Sequence, residues 1–414
     1  VKAWINIALR NLIKNKRRSA FTILAITLGF SAVTLFGGFT TYMYAANQEG
    51  SIYTSFQGHL TIARKIFFDR DSNNPKNFIL SQDELQAVSS ICSEFDEVIL
   101  VTPQLRLNGL ITDGRISNIF IAIGIEPEAQ VVLARETRLN LMEPYKGRAL
   151  DETHMNDIGV SNGLAKFLRL GLDSEAVIMG TTVDGQMNAL DVVVCQLFDA
   201  ASSSFNDRFV RMPFKLAQSL IDTNGAHLLS VILKKTEDTE RIKNRLVSAF
   251  SQKGIDLEVK TWNELSEWYT KVKDMFDIIF MFLFLIVFVI VTMSVINTMS
   301  MAILERTREI GTLRALGLKR RWVIGLFSIE SMLMGFGGIV GGSIVTGLCW
   351  GSILFFKPTW TPPGITVRIP LQLQFSAEYI AYSVVFLLLL CLVSSLLPAR
   401  KAAYQNVVDA LGHV

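Results

Sequence analysis

Five charges fall between Glu305 and Arg314 in the segment MAILERTREIGTLRALG, Met301 to Gly317. Glu305, Arg308 and Glu309 are spaced i, i+3 and i+4, which lines them along one side of a helix. Ile310, Leu313 and Ala315 to Gly317 add an apolar flank and a glycine stop. Acids and bases in this pattern pair with one another or with a docking partner; they do not assemble a nucleophile, a general base or a metal site. The segment reads as a short amphipathic helix that a soluble protein could grip. Taken alone, it reads as well as a charged loop that obeys the excess of Lys and Arg on the cytoplasmic side of membranes.

Residues with catalytic potential elsewhere are scattered. No GxxxxGKS/T phosphate loop occurs, and the glycine cluster Gly335 to Ser343 lacks the lysine that would reach a phosphate. HExxH and GxSxG are absent, and His59, His154, His227 and His413 stand singly. The cysteines, Cys92, Cys195, Cys349 and Cys391, form no CxxC pair. Cys92 and Cys195 fit a disulfide if they lie outside the cytoplasm, or two buried free thiols, the commoner state of scattered cysteines. Gly337 with Gly341, Gly338 with Gly342 and Gly347 with Gly351 have the small-xxx-small spacing that lets helices approach closely, within one subunit or across a dimer. Glu330 is the one acid in its apolar run. A carboxylate there needs a partner, and a base of the flanking charged segments suits it better than a role in proton coupling.

These residues hang on four apolar runs. Half of the 414 residues are hydrophobic and 19% are charged. Ala20 to Asn47, Ile278 to Leu304, Trp322 to Phe356 and Tyr379 to Leu397 each approach or exceed the roughly 20 residues that cross a bilayer core as a helix. The predicted divisions are 1–19 as an interfacial segment, 20–48 as the first span and 49–271 as an extracytoplasmic domain. They continue with 272–304 as stalk and second span, 305–321 as the coupling segment, 322–356 as the third span, 357–378 as an outer loop, 379–397 as the fourth span and 398–414 as the tail. Lys2, Arg10, Lys14, Lys16, Arg17 and Arg18 precede the first run, and Arg306, Arg308, Arg314, Lys319, Arg320 and Arg321 separate the second and third. Both segments are therefore expected inside, with both termini. The first run is longer than a signal-peptide core and reads as a retained anchor. Acids outnumber bases in the outer domain, which argues against nucleic-acid binding.

In VKAWINIALRNL, Trp4, Ile5, Ala8, Leu9 and Leu12 recur at helical spacing, so an interfacial helix is expected before a basic, turn-prone break at Lys14 to Ser19. Simple inward extension of the first span is the alternative. The outer domain alternates strand and helix signals, an α+β pattern. Strands are expected at His59–Arg64, Val98–Leu107, Ile119–Ile125, Val177–Gly180, Asp191–Leu197, Phe209–Met212, Leu228–Leu233 and Leu257–Thr261. A capping box of Ser81 with Glu84 opens a helix to Phe95. Asp238 to Lys253 forms another, with Ile242, Leu246, Val247 and Phe250 on its inner face. Asp69 to Lys76, with Asn73, Asn74 and Pro75, reads as an exposed loop. Ala45–Tyr53 and Trp262–Asp277 are expected to prolong the first two spans as uninterrupted stalk helices, with Trp262, Trp268 and Tyr269 as stalk or interfacial aromatics.

The layout resembles the ABC transporter permeases of the MacB, LolC, LolE and FtsX type. The resemblance rests on IALRNLIKNKRRSAFTILAITLG (Ile7 to Gly29), LERTREIGTLRALGLKRRWVIGLFSIESMLMGFGGIVGG (Leu304 to Gly342) and LLPARKAA (Leu396 to Ala403). The outer domain adds IGVSNGLAKFLRLGL (Ile158 to Leu172), ALDVVVCQLFDA (Ala189 to Ala200) and DRFVRMPFKLAQSLI (Asp207 to Ile221). It implies four transmembrane helices with a large α+β extracytoplasmic domain inserted between the first two, in the bacterial inner membrane.

By the same resemblance, Glu305, Arg306, Arg308, Glu309, Ile310, Gly311, Leu313, Arg314, Leu316 and Gly317 form the coupling helix that docks on a separate ATPase dimer. Gly337, Gly338, Gly341 and Gly342 serve helix packing, and Glu330 a structural ion pair. The chain would be a non-catalytic subunit, with ATP and Mg²⁺ held by the ATPase, no metal of its own, and a second copy or paralogue beside it. Its expected substrate is a lipoprotein or other amphiphile, with a periplasmic adaptor as a further partner. Macrolide, peptide or toxin efflux in a tripartite assembly is one alternative, and FtsX-like signalling to a periplasmic hydrolase another. Two stretches depart from the pattern: Asn406 to Leu411 replaces the usual proline-containing tail, and Thr361 to Gln372 is long and proline-rich.

Overall fold

The computed structural model describes residues 2–69, 75–137, 146–200, 203–361, 368–375 and 377–406. Residues 70–74 of the Asp69–Lys76 loop, 362–367 of the Thr361–Gln372 loop and the tail from Val407, with His413, lie outside them. The chain forms two compact units, one of Val1–Tyr44, Val272–Pro358 and Leu371–Val414, the other of Ala45–Lys271 and Thr359–Pro370.

The first unit is helical. Among the described residues, four helices are long and apolar enough to cross a membrane: Lys16–Thr54, Glu267–Glu305, Arg320–Phe356 and Tyr379–Tyr404. Helix is the form that satisfies every backbone N–H and C=O within one segment, as such apolar runs require in lipid. Val287, Val291, Val295 and Met299 recur every fourth residue and face Ile26, Phe30 and Val33. The third long helix packs on the first through its glycines: a Cβ on Gly338 would lie 2.5 Å from Ile26, and one on Gly342 2.7 Å from Phe30. Thr27 and Ser31 use the same approach to donate to the Gly338 and Gly342 carbonyls at 3.2 and 3.1 Å. Gly341 faces Thr27 and Gly337 faces Ile23, whereas Gly347 and Gly351 have no neighbour within 4 Å of an added Cβ.

The basic break before the first span is narrower than the sequence suggests. An N-terminal helix, Lys2–Lys14, is separated from Lys16–Glu49 by Asn15 alone. Its Ala8 is fully buried, whereas Ile5 and Leu9 are exposed.

The second unit is built on a ten-stranded sheet in the order β10-β1-β9-β2-β3-β8-β5-β7-β4, with β6 bridging β2 and β7. The strands are β1 (Leu60–Ala63), β2 (Val98–Thr112), β3 (Ser117–Ile125), β4 (Lys146–Gly147), β5 (Asp157–Ser161), β6 (Glu175–Thr181), β7 (Met187–Phe198), β8 (Phe209–Pro213), β9 (Leu228–Leu233) and β10 (Glu258–Thr261). The β3–β8 and β5–β7 pairs are parallel and the others antiparallel.

Helix Gln82–Ser93 starts at the Ser81–Glu84 capping box and ends two residues short of Phe95. Thr239–Lys253 buries Ile242, Leu246 and Phe250 against β1, β9 and β10, but Val247 turns outward at 43% exposure. That helix winds at 100° per residue, and Val247 falls beyond the buried arc. The second core gathers β2, β3, β5 to β8 and helices Asn162–Leu168 and Phe214–Ile221. A third joins Ile52, Tyr53 and Phe56 to Phe198, Phe209 and Trp262. There the buried Arg211 guanidinium stacks 3.8 Å from the Phe198 ring centroid.

The stalk segments are interrupted. Past Glu49 the first long helix widens into a π-helical turn, Gly50–Thr54. On the other side a short helix, Trp262–Leu265, stops at Ser266 (φ −98°, ψ 75°) before Glu267–Glu305 begins. The capping box of Thr261 and Glu264 starts the short helix directly at the end of β10. Ser51 and Ser266 hydroxyls meet at 2.8 Å between the two interruptions. Trp262 and Tyr269 pack edge to face with centroids 4.8 Å apart, Trp262 buried and Tyr269 half-buried, while Trp268 is exposed.

Candidate functional site

A cluster of hydrogen-bonded polar side chains lies where the charged segment begins. Arg306 (φ −115°, ψ 12°) ends the second long helix at Glu305 and caps a separate helix, Thr307–Ala315. The short helix closes on Gly317 at φ +98°. Leu318 N–H donates to the Leu313 carbonyl and Gly317 N–H to that of Arg314, both at 3.0 Å. This is the Schellman arrangement, whose left-handed residue is least strained as glycine.

The break at Arg306 divides the ten expected coupling residues. Glu305 belongs to the preceding helix, so it does not share a face with Arg308 and Glu309. Thr307 and Gly311 are buried and Ile310 is half-buried, on the inner face at i, i+3 and i+4. Arg314 also turns inward and donates to the Gln405 carbonyl. Arg308, Glu309, Thr312, Leu313 and Leu316 face outward, Leu316 at 81% exposure. Ile310 and Leu313 are neighbours, about 60° apart around the helix, Ile310 half-buried at the edge of the inner face and Leu313 exposed.

Beneath the short helix, Arg306 Nη1 donates to Glu330 Oε1 across 3.0 Å, with both side chains buried. Asn11 Nδ2 reaches the same oxygen at 2.6 Å, and Arg306 Nη2 donates to the Asn11 carbonyl at 3.3 Å. Glu305 accepts from Asn15 Nδ2 at 3.0 Å and pairs with Arg18. Thr22 and Thr298 hydroxyls meet one turn deeper at 2.6 Å. Removing one member of a buried pair strands the other charge, at a cost of about 3–5 kcal/mol. The crevice among Asn11, Asn15, Arg18, Thr298, Arg306 and Glu330 encloses about 10 Å³. That is room for one water at most, so the cluster is a joint and not a ligand pocket.

The sequence pointed to Glu330, and the structure adds Asn11, Asn15, Arg18 and Thr22. Their spacing of i, i+4, i+7 and i+11 is one polar stripe down the basic N-terminal segment, a signal masked there by the bases around it. Among the described residues, no group of three or more His, Cys, Asp or Glu could hold a metal ion. Cys92 and Cys195 are free and buried, Cys92 in the core beneath β1, β9 and β10 and Cys195 on β7, outside that core. Burial pushes each thiol up to about 12. His59 and His227, packed in the sheet unit, are pushed down to about 4 by burial.

Comparison with known proteins places these features. Residues 19–249 match the MacB-like periplasmic core domain and residues 279–407 the FtsX-like permease C-terminal region. An uncharacterized ABC transporter permease, YknZ of Bacillus subtilis, is 22% identical, with 98% of each chain covered. The macrolide export ATP-binding/permease protein MacB of Salmonella paratyphi A is 25% identical over 99% of this chain and 59% of its own length. An uncharacterized ABC transporter permease of Methanocaldococcus jannaschii is 27% identical over 50% of this chain, and the match spans about half (51%) of that relative. Among solved structures, the periplasmic region of MacB from Actinobacillus actinomycetemcomitans aligns with 50% of this chain and 90% of its own, at 14% identity and a TM-score of 0.37. With both regions matched in one chain, the protein belongs to the family of ABC transporter permeases that carry a MacB-like periplasmic core domain and an FtsX-like permease region.

Proposed function

We propose that this chain is the transmembrane subunit of an ATP-driven transporter in the inner membrane of a bacterium, and that it works by passing movement across the bilayer. The observation that carries this reading is the two-sided helix Thr307–Ala315. Its inner face is fastened by Thr307, Ile310, Gly311 and Arg314, while Arg308, Glu309, Leu313 and Leu316 stand free for a partner. The 414 residues contain no phosphate loop, so ATP and Mg²⁺ belong to an ATPase outside them, taken here as a separate subunit in two copies. Its closure pushes the short helix, and the long helices carry the displacement to the sheet domain, inserted between the first two spans and facing the periplasm. Both termini lie in the cytoplasm, on the side of the basic segments. A second copy or a paralogue completes the permease. The described spans are apolar apart from hydroxyls, glycines, Asn297 and the paired Glu330, too few polar groups to line a hydrophilic path for cargo.

The cargo is an amphiphile handled at the outer side, with lipoprotein release the primary assignment. A second reading, export of a small amphiphile through a periplasmic adaptor, draws on the relatives named for macrolide and pyoverdine export. Signalling to a periplasmic hydrolase is the third, and the size of the sheet domain tells against it. The test is co-purification with the ATPase encoded beside this chain, followed by mass spectrometry of bound cargo. Arg308→Glu with Glu309→Lys is expected to abolish association while the permease stays folded. Undiminished association would overturn the docking assignment.

A further inference from the structure

Both interruptions at the inner ends of the helices are clasped together. Asn15 parts Lys2–Lys14 from the first long helix, and Arg306 parts the second long helix from Thr307–Ala315. A helix that stops leaves its last carbonyls short of intrahelical donors. At the end of Lys2–Lys14 the Asn11 carbonyl receives Asn15 N–H at a long 3.3 Å and takes Arg306 Nη2 at 3.3 Å as well. Arg306 thus caps the C-terminus of the N-terminal helix, a position that suits a cation, while its own backbone caps the N-terminus of the short helix.

Charge neutralisation alone does not explain the arrangement. Glu330 would already balance Arg306, yet the uncharged Asn11 spends its amide on Glu330 Oε1 at 2.6 Å and its carbonyl on Arg306. One turn on, Asn15 and Arg18 hold Glu305, the residue just before the second break. The other end of the N-terminal helix is fixed as well, by Trp4 stacked on Trp322 of the third long helix with ring centroids 5.6 Å apart and planes 6° apart. Held at Trp4 and at Asn11, that helix cannot slide independently of Arg306.

We propose that Asn11 and Glu330 are positioning residues that make the N-terminal helix and the short helix Thr307–Ala315 move as one body. Movement of the short helix is then delivered to the first long helix across residues 11–18 and not only along the second. The clasp itself is independent of any ATPase; its role in transmission rests on the docking reading above.

The test uses the full-length chain in nanodiscs with Cys349→Ser. Spin labels sit on Leu9→Cys and Leu313→Cys, both exposed in the parent, and labelled chain is diluted into unlabelled chain. Double electron–electron resonance should give one narrow distance distribution. Asn11→Ala and Glu330→Gln should each broaden it at least twofold, and Asn6→Ala, an exposed change on the same helix, should leave it unaltered. A width unchanged in Asn11→Ala overturns the clasp. Asn11→Ala keeps the Arg306–Glu330 pair, so it answers the question even where Glu330→Gln does not fold.

A second arm reconstitutes the neighbouring ATPase. Glu330→Asp should retain permease-stimulated turnover, while Asn11→Ala should lower its kcat at least fivefold with KM for ATP and complex yield unchanged. Unchanged kcat beside a broadened distribution overturns the transmission role. Failure of the parent to bind the ATPase would overturn the docking reading and, with it, that role, while the distance measurement still decides the clasp.

Discussion

Gly338 lies so close to Ile26 that a Cβ on the glycine would sit 2.5 Å from the isoleucine Cβ and 3.2 Å from the Ile23 carbonyl oxygen. No rotamer change relieves a contact made with Cβ and backbone atoms, so a side chain here must part the helices. Gly338→Ala should therefore cost about 1–3 kcal/mol and free the Thr27 hydroxyl from the Gly338 carbonyl. Gly347→Ala, with nothing within 4 Å, is the matched control and should leave stability unchanged. Thermal unfolding of the two variants in the same detergent, followed by intrinsic fluorescence, compares them directly.

Glu84 serves two structures at once. It completes the capping box with Ser81, and its two oxygens accept from Arg64 Nη2 at 2.7 and 2.8 Å, just beyond β1. Ser81→Ala removes one cap acceptor, and loss of such a cap costs about 1 kcal/mol. Glu84→Ala also releases Arg64, so it should destabilise the sheet unit more than Ser81→Ala does. Hydrogen exchange across Gln82–Ser93 checks the order; equal protection in the two variants would show that the Arg64 pair adds nothing.

Cys92 and Cys195 are both buried and sit among different neighbours, with thiols pushed up to about 12. A thiol needs both access and a thiolate to react. Alkylation of the folded chain at pH 8 should leave both unmodified, and denaturation without reductant should expose both to a mass-resolved label. An intact mass two hydrogens short of the reduced chain, traced to these residues, would contradict the free-thiol state.

How far the sequence reveals this molecule depends on whether a feature is local. The long helices were legible because length and apolarity suffice, and β9 because LLSVIL is apolar at every position but Ser230. β5 was not, since DIGVS carries Asp, Gly and Ser in a strand whose every residue is buried. Its register comes from neighbours on both sides, β7 and β8. The break at Ser266 contains no Pro or Gly, so no local residue type announces it. At the candidate site, Glu330 advertised its need for a partner. The division of the charged segment at Arg306 did not, because it is fixed by Asn11 and Glu330, residues remote in sequence from one another.

His59 and His227 make the sheet unit sensitive to acid. His59 Nδ1 accepts Leu233 N–H at 3.1 Å, which leaves Nε2 to donate to the Thr236 hydroxyl at 3.1 Å. His227 Nδ1 accepts Arg106 N–H at 3.0 Å. Both rings are neutral in these roles, and burial lowers each from 6.5 to about 4. Above pH 6.5 neither the folded nor the unfolded chain protonates them, and their contribution is complete. As pH falls the unfolded chain binds protons that the folded chain refuses, so stability declines until the folded rings titrate near pH 4. Each histidine contributes a slope of about 1.4 kcal/mol per pH unit within that window, and at most about 3 kcal/mol in total. Urea midpoints of the full chain between pH 7.5 and 4.5 should fall accordingly. His227→Gln should flatten the curve by one proton, and an unchanged slope would show that His227 titrates normally in the folded protein.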